Sequence, residues 1–192
     1  LITSFLDKTG MSGHSKWSTI KRKKEITDAK RGRLFSKISK LIEVAAKKGA
    51  DPKSNITLKT AIEQGRAVNM PSANIDRAIK KGSGSGGGAS ALEEVVYEAY
   101  GPGGVAIIIT AVTDNKNRTV SEIKHILSLH GASFSGAGSV KWLFDSKFEN
   151  GEIKWIPKQT IELSAEDESK LSELFSDLDE QEDISEVFTN SQ

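Results

Sequence analysis

Residues 82–90 read Gly-Ser-Gly-Ser-Gly-Gly-Gly-Ala-Ser, and no packed element can run through such a stretch. It has almost no side chain to bury and the most backbone entropy to lose, so the segments on either side must each find a core of their own. Hydrophobic periodicity changes across it. Before it, apolar residues recur at three- and four-residue spacing; after it, β-branched runs alternate or are apolar throughout. The chain therefore reads as an α+β protein, with a small N-terminal helical bundle (12–82), a flexible Gly/Ser linker (83–90) and a C-terminal sheet-and-helix part (91–192). Residues 1–11, ending at Met11 with the character of a native start, are set aside as an upstream extension. A linker of this composition reaches on the order of 16 Å, enough for the halves to reorient without wandering far.

Charge divides at the same place. Residues 1–82 hold 19 Lys and Arg against 7 Asp and Glu, and residues 83–192 hold 8 against 19, so a net charge of +1 conceals halves of +12 and −11. Such a division points to one part that binds a polyanion and another that stays off it. Between 13 and 35, Lys16, Lys21, Arg22, Lys23, Lys24, Lys30, Arg31 and Arg33 face only Glu25 and Asp28. Lys37 and Lys40 continue the series beside an apolar stripe of Leu34, Phe35, Ile38, Leu41, Ile42 and Ala45. Trp17, set among cations, suits either stacking on an unpaired base or anchoring the arm to the bundle. The competing interpretation of the run is a solvated basic helix.

Helices are expected over about 18–48, over 55–69 with Leu58, Ala61, Ile62 and Gly65 on one face, and from Pro71 to Gly82 with Ile75, Ala78 and Ile79 inward. After the linker, 94–100 and the wholly apolar 105–112 read as strands. Thr119 and Glu122 have capping-box spacing for a helix that stops at His130-Gly131. Alternation from Val140 to Phe148 predicts a strand, and Asn150-Gly151 a two-residue hairpin turn that sets Phe148 opposite Ile153. The return strand is expected to pass Trp155 and run on to Ile161 and Leu163. Ser164 then caps a helix, and 184–189 forms a last strand. From Val105 the order is strand, helix, strand, strand, helix, strand. That is a ferredoxin-like pattern with one extra strand in front.

Little here suggests catalysis. The absence of cysteine removes disulfides, thiolate chemistry and cysteine-ligated zinc, and fits a reducing cytoplasm. No apolar run approaches the roughly 20 residues of a membrane span. His125 and His130 lie five apart on one helix and cannot share a metal, and no nucleophile–base constellation assembles from spacing, so neither catalytic residues, metal nor cofactor is expected. The Gly/Ser run lacks the strand before it and the Lys-Ser or Lys-Thr after it that a phosphate loop needs. Asn115, Asn117 and Arg118 precede a helix and could hold a phosphate; the same residues also suit turn and cap chemistry.

Several longer motifs converge on one family. Gly-His-Ser-Lys-Trp (13–17), Asp-Ala-Lys-Arg-Gly (28–32), Asn-Met-Pro (69–71), Asn-Ile-Asp-Arg-Ala-Ile-Lys-Lys-Gly (74–82), Tyr-Gly-Pro-Gly-Gly-Val-Ala (100–106), Thr-Asp-Asn-Lys-Asn-Arg-Thr (113–119) and Ile-Pro-Lys-Gln-Thr (156–160) resemble the YebC family. That resemblance implies a transcriptional regulator or a translational activator, and it adds His14 to the nucleic-acid-binding set. The set is then His14, Lys16, Trp17, Lys21, Arg22, Lys23, Lys24, Lys30, Arg31, Arg33, Lys37 and Lys40. Family members typically insert a further small domain where Glu149-Asn150-Gly151-Glu152 stands here, so this chain resembles a short form closed by the hairpin. The expected function is a non-enzymatic regulator of gene expression binding RNA on the ribosome, with duplex DNA the alternative. A protein-binding adaptor that sets its basic face on an acidic partner is the third reading, and the acidic C-terminal part is itself a candidate for meeting a protein.

Overall fold

The computed structural model describes residues 28–85, 87 and 90–192. His14, Lys16, Trp17 and Lys21 to Lys24 lie outside them. Helix α1 (Asp28–Ala46) is followed by α2 (Ile56–Ala67) and α3 (Ser72–Gly82). Asn55 caps α2 by accepting a hydrogen bond from the Leu58 amide, and the Asn55 side-chain amide donates to the carbonyls of Ala45 and Gly49, tying the end of α1 to the start of α2. Leu58, Ala61, Ile62, Ile75 and Ala78 close on Ile38, Ile42 and Ala45 in one apolar core, as their spacing predicts. Gly82 lets α3 cross α1 closely, since a Cβ there would collide with the Glu43 carbonyl.

The linker is held at both ends. Lys81 pairs with Glu43 Oε2 at 3.1 Å, the Ser90 hydroxyl donates to Glu43 Oε1, and Lys47 Nζ donates to the Leu92 carbonyl at 2.6 Å. A single buried carboxylate on α1 thus receives the chain on its way out and on its way back.

The main sheet is antiparallel, in the order β3 (Ser133–Ser135), β1 (Glu93–Tyr100), β2 (Ala106–Thr113), β6 (Ile184–Thr189). Helices α4 (Lys116–Leu129) and α5 (Ala165–Glu180) cover one face. This is ferredoxin-like, but the strands take different roles from those expected. The leading strand β1 lies inside the sheet between β2 and β3, in the slot that the third strand of the pattern normally fills. The hairpin β4 (Phe144–Glu149) and β5 (Glu152–Pro157) forms a separate two-stranded ribbon.

Strand β2 is central, and its sequence shows why. Ile107 and Ile109 face α4 and α5 among Ile123, Leu127, Leu174 and Leu178, whereas Ala106 and Ile108 face the other way against Val140, Phe144 and Phe188. Each such isoleucine contributes roughly 1.5–3 kcal/mol by burial. Further along that reverse face, Val112 and Leu92 receive Val44 and Leu41 of α1, which seats the helical bundle on the sheet.

Three local expectations are corrected. Helix α4 begins at Lys116 with Asn115 as its cap, accepting from the Arg118 amide at 3.1 Å; Thr119 is fully buried and donates instead to Asp183 Oδ2 at 2.7 Å. Residues 141–143 form a 3₁₀ turn rather than strand, leaving Trp142 64% exposed. The cause is Glu98, whose carboxylate accepts from the amides of Gly138, Val140 and Lys141 at 2.7, 2.7 and 3.0 Å and curls the backbone around itself. Strand β5 ends at Pro157, and Ile161 makes only an isolated parallel bridge to Ser191. The hairpin itself is as expected. Asn150 and Gly151 both have positive φ, and Phe148 pairs with Ile153.

Candidate nucleic-acid interface

Helix α1 carries the described part of the basic set, and its geometry sorts those residues into two groups. Lys30 and Arg31 are exposed near its start. Arg33, Lys37 and Lys40 recur at helical spacing on one face, and that face is turned toward the end of α5 and the turn leading to β6. Arg33 Nη2 lies 3.4 Å from Glu180 Oε1. Lys37, only 8% exposed, donates to the Asp179 carbonyl and approaches Asp179 Oδ1 at 3.4 Å. Lys40 Nζ meets Asp183 Oδ1 at 2.6 Å and the Glu182 carbonyl at 3.2 Å.

Asp183 is the centre of this seam. It is 3% exposed, and besides Lys40 it accepts from Arg118 Nη2 at 3.0 Å and Thr119 Oγ1 at 2.7 Å. Burial alone would raise its pKa. The hydrogen bonds from Lys40, Thr119 and Arg118, with the Lys40 charge, outweigh burial and hold the carboxyl far below the usual range. Glu98 follows the same logic, with burial opposed by three backbone amides, and its pKa is lowered.

The loop 115–118 is engaged in the same network. Asn115 is a helix cap, and the Arg118 guanidinium bridges Asp114 and Asp183, at 3.0 Å from each. Asn117 contributes its backbone carbonyl, which accepts from the Ser121 hydroxyl at 2.9 Å. In this arrangement Asn115 serves as a helix cap and Arg118 pairs with two carboxylates.

Elsewhere on the bundle, Lys48, Lys53, Arg66, Arg77 and Lys80 are exposed and carry no ion pair among the described residues. Sequence reasoning had passed over this second group because its members are scattered over the α1–α2 connection, α2 and α3 rather than gathered in one run. It also missed Asp179, Glu180 and Asp183 as partners of α1. The one signal for them was the density of acid in Asp-Glu-Gln-Glu-Asp (179–183), which reads equally well as a solvated helix end.

A second contact joins the two parts. The hairpin tip touches α2, with the Thr60 hydroxyl donating to the Asn150 carbonyl and the Gln64 amide to Glu152 Oε1. Gly151 is tight against Ile56, where a Cβ would lie 2.8 Å from the carbonyl oxygen. Between the hairpin, α1, α2 and the sheet lies a recess of about 460 Å³ with a mainly apolar lining that includes Leu34, Ile38, Leu41, Val96 and Phe148, with Lys37 and Lys48 also on its wall. Among the described residues, no group of three or more His, Asp or Glu could hold a metal ion, and no helix is long and apolar enough to cross a membrane.

Comparison with known proteins places the chain. The sequence profile of the TACO1/YebC protein N-terminal domain matches residues 15–85, and that of the TACO1/YebC second and third domain matches 92–148 and 146–191. The chain belongs to the TACO1/YebC family. A probable transcriptional regulatory protein of Thermoanaerobacter pseudethanolicus is 42% identical over 238 residues, covering 94% of this chain and 96% of the relative. One from Syntrophus aciditrophicus is 58% identical over 138 residues, covering 71% of this chain and 55% of the relative. Among solved structures, a conserved hypothetical protein from Aquifex aeolicus aligns with a TM-score of 0.77 and 33% identity, covering 86% of this chain and 91% of that one. An alignment of 238 residues exceeds the 192 of this chain, so the Thermoanaerobacter relative has an insertion. The two matched blocks of the second profile meet at 146–148, in β4 of the hairpin. This TACO1/YebC chain is thus a short form, lacking the inserted middle domain and closed by the hairpin 144–157.

Proposed function

We propose that this protein is a non-enzymatic regulator of gene expression that binds nucleic acid through its helical part, and that the target is RNA, in the setting of the ribosome, rather than a specific DNA duplex. The observation that carries the reading is the sorting of cations on the bundle. Those facing the sheet are neutralised, whereas Lys30, Lys48, Lys53, Arg66, Arg77 and Lys80 are exposed and without an ion pair among the described residues. Phosphate neutralisation by such side chains is the main source of affinity for nucleic acids. The names of the relatives, probable transcriptional regulatory proteins, support a role in gene expression. The most perturbed carboxylates, Asp183 and Glu98, are consumed in holding α1, α4 and the 138–141 loop, which argues against their use as catalytic acids or bases.

The lean toward RNA comes from chemistry. Reading a duplex requires a helix that offers base-edge side chains to the major groove. The exposed groups of α1 and α3 are mainly Lys and Arg, which suit phosphate and shape recognition. Competition between a structured RNA and random duplex DNA at matched, near-physiological salt, alongside co-sedimentation with ribosomes, tests the proposal. RNA preference with ribosome association is expected, with log K falling about 0.7–0.9 per phosphate contact against log salt. Binding to one duplex at least about a thousandfold above random duplex, without ribosome association, would restore a transcriptional role.

A further inference from the structure

The face of α1 that carries Arg33, Lys37 and Lys40 is already filled by an acidic segment of the protein's own chain, and we propose that the segment 179–183 occupies it as a stand-in for nucleic-acid phosphate, so that nucleic acid and the sheet part compete for one surface. The proposal rests on the nucleic-acid reading above and adds a mode of regulation to it. Three cations set along about 10 Å of helix meet Asp179, Glu180 and Asp183 within five consecutive residues. A row of cations facing a short run of closely spaced anions is the arrangement that a phosphodiester strand would also satisfy.

Two further observations favour an exchangeable contact. The side-chain ion pairs lengthen away from Asp183: Arg33–Glu180 and Lys37–Asp179 are both 3.4 Å, against 2.6 Å for Lys40–Asp183, and of the first two only Lys37 is also held by a backbone carbonyl, that of Asp179. Side-chain exposure follows the same gradient on the acidic side, from 55% at Glu180 and 38% at Asp179 to 3% at Asp183. The seam is therefore open to an external anion from the Arg33 end and anchored at the Asp183 end. Opening from Arg33 would pivot on the contacts at the other side of the bundle, where Val44 meets Val112 and the hairpin tip meets α2. In the closed form the protein offers polyanions only the outward cations and whatever the segment before α1 supplies. In the open form it adds Arg33 and Lys37.

The absence of native cysteine makes the test direct. Full-length protein carrying G32C and S172C is labelled with a donor–acceptor pair across the seam; Gly32 has open space for a side chain, and Ser172 is exposed. Affinity for a short structured RNA and a short DNA duplex is measured in parallel, in this background and with D179N/E180Q added, which leaves Asp183 and its network intact. Expected results are a fall in energy transfer when nucleic acid is added, and an affinity about three- to tenfold higher in D179N/E180Q. Nucleic-acid binding with unchanged transfer and no gain in the variant would overturn the competition while leaving the nucleic-acid function intact. No binding of either probe by either protein would overturn both. Circular dichroism of D179N/E180Q establishes that it is folded, and K37Q, expected to lower affinity only in the D179N/E180Q background, supplies a second independent reading.

Discussion

The helical and sheet parts meet at two places built on different physics. At the seam, cations of α1 meet carboxylates of 179–183 beside a small apolar contact of Leu41, Val44, Leu92 and Val112. At the hairpin tip, among the described residues, there is no ion pair between the parts. Contact there depends on close backbone approach at Gly151 and two hydrogen bonds from Thr60 and Gln64. A charged contact can be exchanged for another anion and is screened by salt. A shape-dependent contact has no such substitute. The difference assigns the tip the role of a fixed joint and the seam that of a contact open to competition, and it locates the fixed joint at the point where longer relatives insert a domain.

The largest test of this contrast is at Asp183. Replacing it with alanine leaves Lys40 without its carboxylate and Arg118 with Asp114 alone, and removes the buried bond from Thr119, so Asp183→Ala is expected to cost about 2–4 kcal/mol in urea denaturation. A loss below about 1 kcal/mol would mean that water already solvates the site. The same residue gives a pH signature. Its folded-state pKa is depressed, so the stabilisation is fully present above the ordinary aspartate value near 3.9 and is lost progressively as pH falls below it. Glu98 contributes with the same sign but within the sheet part alone. Protonation of Asp183 should also loosen the seam and lower the energy transfer across it at acid pH, and Asp183→Asn should flatten the acid limb of the stability profile and remove that pH dependence of the transfer. Glu98→Gln should flatten the limb without affecting the transfer.

Next in size is the joint itself. Gly151 has φ +86°, and a side chain there would meet Ile56 O at 2.8 Å and Thr60 Oγ1 at 2.9 Å. Backbone strain and overlap together predict a loss of roughly 2 kcal/mol for Gly151→Val. It should be the same at low and high salt. A loss that shrinks with salt would show that the tip is held by charge after all.

The two contacts also differ in how far the sequence revealed them. Asn150-Gly151 announces a turn whose backbone twist matches the strands it joins, and it carries the Phe148–Ile153 register with it, because a two-residue loop leaves no freedom in the pairing. The docking of that tip was not legible, since Thr60 and Gln64 are ordinary exposed-helix residues until something approaches them. Likewise the cations of α1 were legible as a charged face, and their partners were not. Charge complementarity says that opposite surfaces attract, but it does not say which acidic run lies within reach. Here that was decided by β2, whose two apolar faces demand a cover on each side and so bring α1 over Val112, next to Asp183. The misplaced start of α4 has a similar origin. Thr119 and Glu122 have the spacing of a capping box, but Asn115 captures the Arg118 amide first, and Thr119 is drawn into the seam by Asp183.

The smallest expected effect is also the sharpest comparison, because it measures one polar pair at each contact. Arg33–Glu180 is a partly exposed ion pair at 3.4 Å, with the two side chains 33% and 55% exposed, and a double-mutant cycle with R33Q and E180Q should give a coupling of no more than about 1 kcal/mol. Gln64–Glu152 is a hydrogen bond from a neutral amide to a carboxylate that also pairs with Lys154 at 2.7 Å, and a cycle with Q64A and E152A should give a coupling of similar size, about 0.5–1.5 kcal/mol. Their response to salt should separate them. Raising ionic strength from about 0.1 M to 1 M shortens the screening length from roughly 10 Å to 3 Å, which removes most of the attraction between two exposed charges but little of a hydrogen bond formed at contact. The Arg33–Glu180 coupling should accordingly fall toward zero while the Gln64–Glu152 coupling persists. Equal decay of both would place charge at the root of both contacts and remove the distinction between joint and seam; persistence of both would mean that the seam is as fixed as the tip, and that nucleic acid must find its phosphate contacts without opening it.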